Sequence, residues 1–246
     1  MNRPRCEVNM IELPSDSEDK HYNCDNRARL PQRVINYLFY DRLRCVFNMI
    51  DFPSDDKFIA LDLGCSKGFL TTYLASHLGI MVIGIDVEAW ILRKCKKRAR
   101  LVIPTSLATL ECVCADIAQL PFRTDSVNLV VCASVLEHID DLEKVLNEIK
   151  GVMSENSILV AGYPIETQLS NALLRFFLPS GWKIRDTRRW GKEEFGRSEE
   201  THKQSFRTIR RLLQAHFLMV KKKKSFSTIL PDLISWYECV KMRKKT

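Results

Sequence analysis

The residues best suited to chemistry fall in four short clusters. The first is Leu61-Asp62-Leu63-Gly64-Cys65-Ser66-Lys67-Gly68, preceded by Ile59-Ala60 and followed by Phe69-Leu70-Thr71. It reads as a buried strand, a tight turn and the opening of a helix. Gly64 can take the positive φ of a sharp strand-to-helix turn, and it has no Cβ to hold a ligand away. Gly68 lets the new helix lie close to the sheet or to a cofactor. The amides of Cys65, Ser66 and Lys67 then point into the crevice in the manner of a helix N-terminus. A carboxylate there, Asp62, is wrong for a phosphate but suits an ammonium group or hydroxyls. The second cluster is the end of the apolar run Ile80 to Asp86, an acidic residue about 20 positions beyond the glycine turn. A carboxylate at that strand tip can accept from both hydroxyls of a ribose. The third is Asp116-Ile117, closing the run that begins at Thr109, and the fourth is Glu137-His138. His138 is a candidate general base, with a structural role at a helix start as the alternative. Gly64-Cys65-Ser66-Lys67-Gly68 does not supply the G-x-G-x-x-G of a pyrophosphate-binding turn, which argues against a nicotinamide enzyme.

Stepping along the chain, strands and amphipathic segments alternate, the pattern of an α/β protein. Apolar residues at Val34, Leu38, Leu43, Phe47 and Ile50 predict a helix from Arg33 to Ile50 ahead of the first strand, and Pro53-Ser54-Asp55-Asp56 is the turn into the sheet. Trp90 and Ile91 open a helix down to Arg100. Val127 to Cys132 is apolar apart from Asn128, hence buried on both faces. Asp140 is expected to cap a helix to Val152, with Leu142, Val145, Leu146 and Ile149 turned inward. Asn156 to Gly162 reads as the fifth strand, after which Tyr163, Glu166 and the later His202 are candidates for the substrate pocket, with Tyr37 on the first helix. Ser205 is a plausible cap for a helix from Arg207 to His216. Strands at Phe217 to Phe226 and Tyr237 to Met242, joined through a short helix from Pro231 to Trp236, complete the reading.

The stretch around Asp62 resembles the first motif of the class I S-adenosylmethionine (SAM) dependent methyltransferases, with Ser66 in place of the middle glycine. Leu120-Pro121-Phe122-Arg123-Thr124-Asp125-Ser126 and Leu136-Glu137-His138 resemble connections of the small-molecule branch of that superfamily, similar to methyltransferase type 11 domains. The resemblance implies a Rossmann-like seven-stranded sheet of order 3-2-1-4-5-7-6, strand 7 antiparallel, with helices on both faces. It implies SAM as cofactor. The residues it nominates around SAM are Asp62, Gly64, Cys65, Ser66 and Gly68 at the first turn and Asp86 with Val87 at the ribose. Asp116 and Ile117 would meet the adenine, and Ala133 and Ser134 follow the fourth strand. The helix before the first strand would act as a lid. Quinone-pathway O-methyltransferases carry an extra Glu where this chain has Ser134, so no bound metal is expected here.

Composition bounds the remaining choices. The chain has 246 residues, with 46% hydrophobic and 28% charged residues, ordinary for a globular protein. Residues 1–30 are polar and charged and read as a flexible extension; the resemblance implies that 31–246 form a methyltransferase domain, with a cap insertion at about 167–202. Nine cysteines in irregular positions, several inside apolar runs, indicate small buried hydrophobes in a reducing, cytoplasmic compartment. Cys6, His21 and Cys24 lack the paired C-x-x-C of a metal clip. No run reaches the roughly 18 apolar residues of a membrane span. The net charge of +8 rests partly on Arg93 to Arg100, at a helix end that favours cations, and on Lys221 to Lys224, where edge lysines discourage strand pairing. An anionic membrane surface or RNA is the alternative partner for both. The insertion's Leu169, Leu173, Leu174, Phe176, Phe177 and Leu178 read either as a packed cap helix or as a cover for a lipid-like acceptor. The function these observations predict is methyl transfer to a small-molecule or lipid- or glycan-linked acceptor. An RNA methyltransferase and a non-catalytic scaffold on the same fold are the rivals.

Overall fold

A computed structural model describes residues 40–51, 58–103, 110–165, 202–225 and 235–245. Tyr37, Glu166, residues 1–30 and most of the 167–202 insertion lie outside the described residues. Residues 40–47 are helical (α1). They are followed by β1 (Ile59–Leu63), α2 (Phe69–Leu78), β2 (Met81–Asp86), α3 (Ala89–Val102), β3 (Leu110–Cys114) and β4 (Val127–Ala133). A 3-10 turn at Leu136–His138 leads into α4 (Leu142–Val152) and β5 (Met153–Pro164). The rest is α5 (Phe206–His216), β6 (Phe217–Lys224) and β7 (Tyr237–Lys244).

The seven strands form one sheet in the order β3-β2-β1-β4-β5-β7-β6. β1 to β5 run parallel, and β7 is antiparallel to both β5 and β6. This is the expected Rossmann-like order. β1 and β4 are apolar apart from Asp62 and Asn128 because both faces are covered. On β4, Val130 and Cys132 point into one core with Leu61, Leu63 and Leu159, while Leu129 and Val131 point into the other with Ala60, Val82 and Val160. The first core is closed by α4 and α5, whose inward residues include Val145, Leu146, Ile149, Ile209 and Leu213. The second is closed by α1 and α2 through Val46, Phe47, Leu70, Tyr73 and Leu74.

Local sequence explains the helix ends. Ser205 caps α5 by accepting the Thr208 N–H at 3.1 Å, as its residue type predicts. α4 starts one residue later than expected: Asp141, not Asp140, accepts the Lys144 N–H at 3.0 Å. Asp140 instead pairs with Lys203. Two strands run past their expected ends: β5 starts at Met153, which pairs with Val127 of β4, and β7 reaches Lys244, which pairs with Phe217 of β6. Ser235 and Trp236, expected at the end of a connecting helix, are not helical.

The two basic clusters occupy the expected elements but are not uniform. β6 is an edge strand that exposes Leu218, Met219 and Val220 ahead of its four lysines. In α3, Arg98 is buried at 5% exposure and lies 3.6 Å over the Phe69 ring. That member of the cluster packs α3 on α2 rather than facing solvent. Among the described residues, no helix is long and apolar enough to cross a membrane.

Candidate active site

Three left-handed residues shape the turn after β1: Gly64 at φ 68°, Ser66 at 49° and Gly68 at 76°. Glycine is required at two of them for a steric reason as well. A Cβ on Gly64 would stand 2.4 Å from a Val135 methyl, and one on Gly68 2.3 Å from the Cys95 sulfur. Ser66, the departure from glycine in this motif, accepts the strained backbone and uses it. Its N–H donates to Asp86 Oδ2 at 3.0 Å, while the Cys65 N–H donates to the Ile85 carbonyl at 2.9 Å. The turn is thereby tied to the tip of β2.

Asp86 receives a second backbone donor, the Glu88 N–H, on Oδ1 at 3.0 Å. Each carboxylate oxygen carries two acceptor lone pairs, so Asp86 is oriented by the protein and keeps one acceptor per oxygen for a ligand diol. Burial raises its pKa, with the Glu88 and Ser66 N–H groups opposing the rise. Val87 beside it is 54% exposed. Asp116 is exposed beyond the end of β3, its Oδ1 accepting the Ala118 N–H at 2.9 Å. Ile117 is buried against the larger core. Asp86, Val87 and Asp116 thus line the carboxyl ends of β2 and β3, where ligands of open α/β sheets bind. A ribose diol and an adenine amino group fit this acceptor set.

Asp62 is deeper, at 2% exposure. Thr71 donates its hydroxyl to Asp62 Oδ2 at 2.6 Å. Burial pushes the Asp62 carboxyl up to about 7; the Thr71 bond opposes the shift and the Asp86 charge adds to it. A cationic ligand group nearby favours the ionised form. Thr71 was not singled out in the sequence, although it lies in the first turn of the helix that follows the motif.

On the other side of β1, Ala133 ends β4 and Ser134 is left-handed at φ 58°. The Ser134 hydroxyl meets Tyr237 Oη at 3.0 Å and accepts from Arg42 Nη1 at 3.4 Å. Its N–H donates to the Gly162 carbonyl at 2.8 Å. α1, β4, β5 and β7 therefore converge at this residue. Tyr163, expected to face the substrate, is fully buried instead. It donates to Glu238 Oε1 at 2.6 Å, and Arg210 grips both oxygens of Glu238 at 2.9 and 2.7 Å. The alternation along β5 turns Tyr163 into the core, where its hydroxyl serves this network.

His138 and His202 come together. Their rings are 5.0 Å apart in an edge-to-face arrangement, on a turn directly beyond β4. His138 is half-buried and His202 exposed. Sequence spacing gave no sign of this pairing, because it depends on the backbone of Lys203 and Gln204 bonding to Glu137.

Residues 61–161 match the family model described as a methyltransferase domain. With the strand order above, that stretch has the core of the class I SAM-dependent methyltransferase fold. The chain is 31% identical over 109 residues to the malonyl-acyl-carrier-protein O-methyltransferase of Halorhodospira halophila, covering 44% of this chain and 35% of that protein. It is 30% identical over 102 residues to the human mitochondrial arginine-hydroxylase NDUFAF5, covering 42% of this chain and 27% of that one. The chain thus spans well under half the length of these curated relatives. In fold it is similar to the magnesium protoporphyrin IX methyltransferase of Synechocystis with bound SAH, at TM-score 0.62 and 15% identity, covering 90% of each chain.

Proposed function

We propose that this protein transfers the methyl group of SAM to a small-molecule acceptor seated over the ends of β4 and β5. The observation that carries the reading is Asp86, held at the tip of β2 by the Ser66 and Glu88 N–H groups with acceptor capacity to spare. SAM brings an electrophilic methyl on its sulfonium. The residues in place to hold it are Asp86 and Val87 at the ribose, Asp116 at the adenine, and Asp62 with the Gly64–Gly68 turn at the methionine end. Ala133 and Ser134 would border the methyl. The protein's own part is alignment, which is worth about 7–11 kcal/mol of barrier in favourable cases. Where the acceptor must lose a proton, His138 is the group beside it able to take one.

Within small molecules, the apolar 169–178 segment and the basic clusters favour a lipid- or glycan-linked acceptor. The described cysteines are all free thiols, which supports a reducing, cytoplasmic setting. Titration calorimetry with SAM and its demethylated product tests the reading. Micromolar binding is expected, lost at least a hundredfold in Asp86→Ala with circular dichroism unchanged. Unaltered affinity in that variant would remove the ribose assignment, and no binding by folded wild-type protein would favour a scaffold.

A second reading is an arginine hydroxylase, favoured by the shared stretch with NDUFAF5. Labelled-methyl incorporation separates the two: label in the product supports transfer, and an unlabelled product one oxygen heavier supports hydroxylation. RNA as acceptor is favoured only by charge, and it predicts binding that weakens steeply with salt.

A further inference from the structure

Glu137, His138 and His202 offer a carboxylate oxygen and two imidazole nitrogens, all within 4.8 Å of one another. We propose that these three residues bind one divalent first-row transition ion beside the acceptor position. The donor set decides the class of ion. Two imidazoles and a carboxylate suit zinc, cobalt, iron or nickel, whereas magnesium and calcium prefer oxygen alone.

The ligands come from two distant parts of the chain, and the backbone fixes their meeting. The Lys203 and Gln204 N–H groups donate to the Glu137 carbonyl at 2.7 and 3.1 Å. Gln204 Nε2 donates to the Ile139 and Asp140 carbonyls, both at 3.0 Å. Lys203 pairs with Asp140. The residue preceding Lys203 is therefore delivered to the Glu137–His138 turn whatever its own side chain does. Burial is graded across the cluster: Glu137 is 2% exposed, His138 is half-buried and His202 is open to solvent. An ion about 2.0–2.2 Å from each ligand brings neighbouring ligand atoms to about 3–3.5 Å of each other. The wider spread here would have to close on binding, and the exposed His202 ring is the ligand with room to move. Three protein ligands leave coordination positions for water or an acceptor hydroxyl, the pattern of reactive rather than purely structural sites; with the ion bound, that water rather than the His138 ring would take the acceptor's proton.

Ser134 was the reason to expect no metal, since it removes a carboxylate ligand from the Glu137-His138 signature. His202 replaces it from across the fold, where no spacing in the sequence reveals it.

The test uses the full chain, freed of metal by chelator and titrated with cobalt(II) while its visible spectrum is recorded. One equivalent is expected to bind, with d–d bands but no thiolate-to-cobalt charge-transfer band in the near ultraviolet. His202→Ala and His138→Ala are each expected to weaken binding about tenfold or more. His202 is exposed, so its variant should keep the wild-type melting temperature. A charge-transfer band would overturn the proposal by locating the ion at the Cys65, Cys95 and Cys112 cluster, where the Cys95 and Cys112 sulfurs lie 3.5 Å apart. Binding unchanged in His202→Ala, or no binding at all, would equally overturn it. No SAM or acceptor is present, so either result leaves the methyltransferase reading standing or falling on its own titration.

Discussion

The two halves of the sheet are built on different principles. The half formed by β1, β2 and β3 is assembled from neighbours in sequence: a glycine-bearing turn, a carboxylate about one βα unit later, and a second acidic strand tip after another. The half formed by β4, β5, β7 and β6 is held by pairs far apart in the chain. Tyr163 and Arg210 meet on Glu238, 75 and 28 residues away from it. Ser134 meets Tyr237 103 residues away. The first arrangement holds Asp86 and Asp116 by backbone N–H groups at the carboxyl ends of β2 and β3. The second spends its polar groups on joining elements, leaving the surface above it open to variation in the acceptor. In the proposed reading the first half holds the cofactor and the second borders the acceptor.

If the Tyr163–Glu238–Arg210 network is architecture rather than chemistry, breaking it should cost stability and leave cofactor affinity alone. Glu238→Gln strips the charge partner from Arg210 at a site where the carboxylate is fully buried. A loss of about 3–5 kcal/mol in urea unfolding is expected, with SAM affinity of the folded fraction unchanged. A fall in SAM affinity without a fall in stability would join the two halves functionally.

In the cofactor half the corresponding probe is pH. Burial raises Asp62 from its ordinary 3.8 to about 7 in the folded protein. Between those values Asp62 holds a proton in the folded state that it has lost in the unfolded state, so its contribution to stability is full below about 3.8 and is lost as pH rises through about 7. Asp62→Asn keeps an acceptor for Thr71 and cannot ionise. It should flatten that decline and be more stable than wild type at pH 8, by on the order of 3 kcal/mol. Chemical denaturation at pH 5 and pH 8 reads the difference, and identical pH slopes would refute the assignment.

The smallest effect is expected at a helix end in the acceptor half. Ser205→Ala removes the cap of α5 and should cost about 1 kcal/mol. Because α5 carries Arg210, it should also raise hydrogen exchange in its first turn without altering SAM binding.

What the sequence made legible follows the same division. The turn at Gly64, the strand tips at Asp86 and Asp116, the doubly buried β4 and the cap at Ser205 all depend on residues within a few positions of one another. Local sterics and periodicity are enough to read them. Tyr163 was misplaced because its direction is set by pairing with β7, and the meeting of His138 with His202 because it depends on backbone bonds from Lys203 and Gln204 to Glu137. Asp140 and Asp141 are chemically equivalent candidates for one cap. The pairing of Asp140 with Lys203, invisible locally, accompanies the choice of Asp141.

The strand order has a bearing on how the protein is made. β5 pairs with β4 on one side, but its other neighbour, β7, lies some 70 residues downstream in the chain. During synthesis, β1 to β5 can assemble while β5 still presents a row of unsatisfied amides and carbonyls along an apolar edge. That edge is sealed only after residues 237–244 have left the ribosome and inserted between β5 and β6. Until then the nascent chain carries an open strand edge of the kind that makes folding intermediates prone to aggregate.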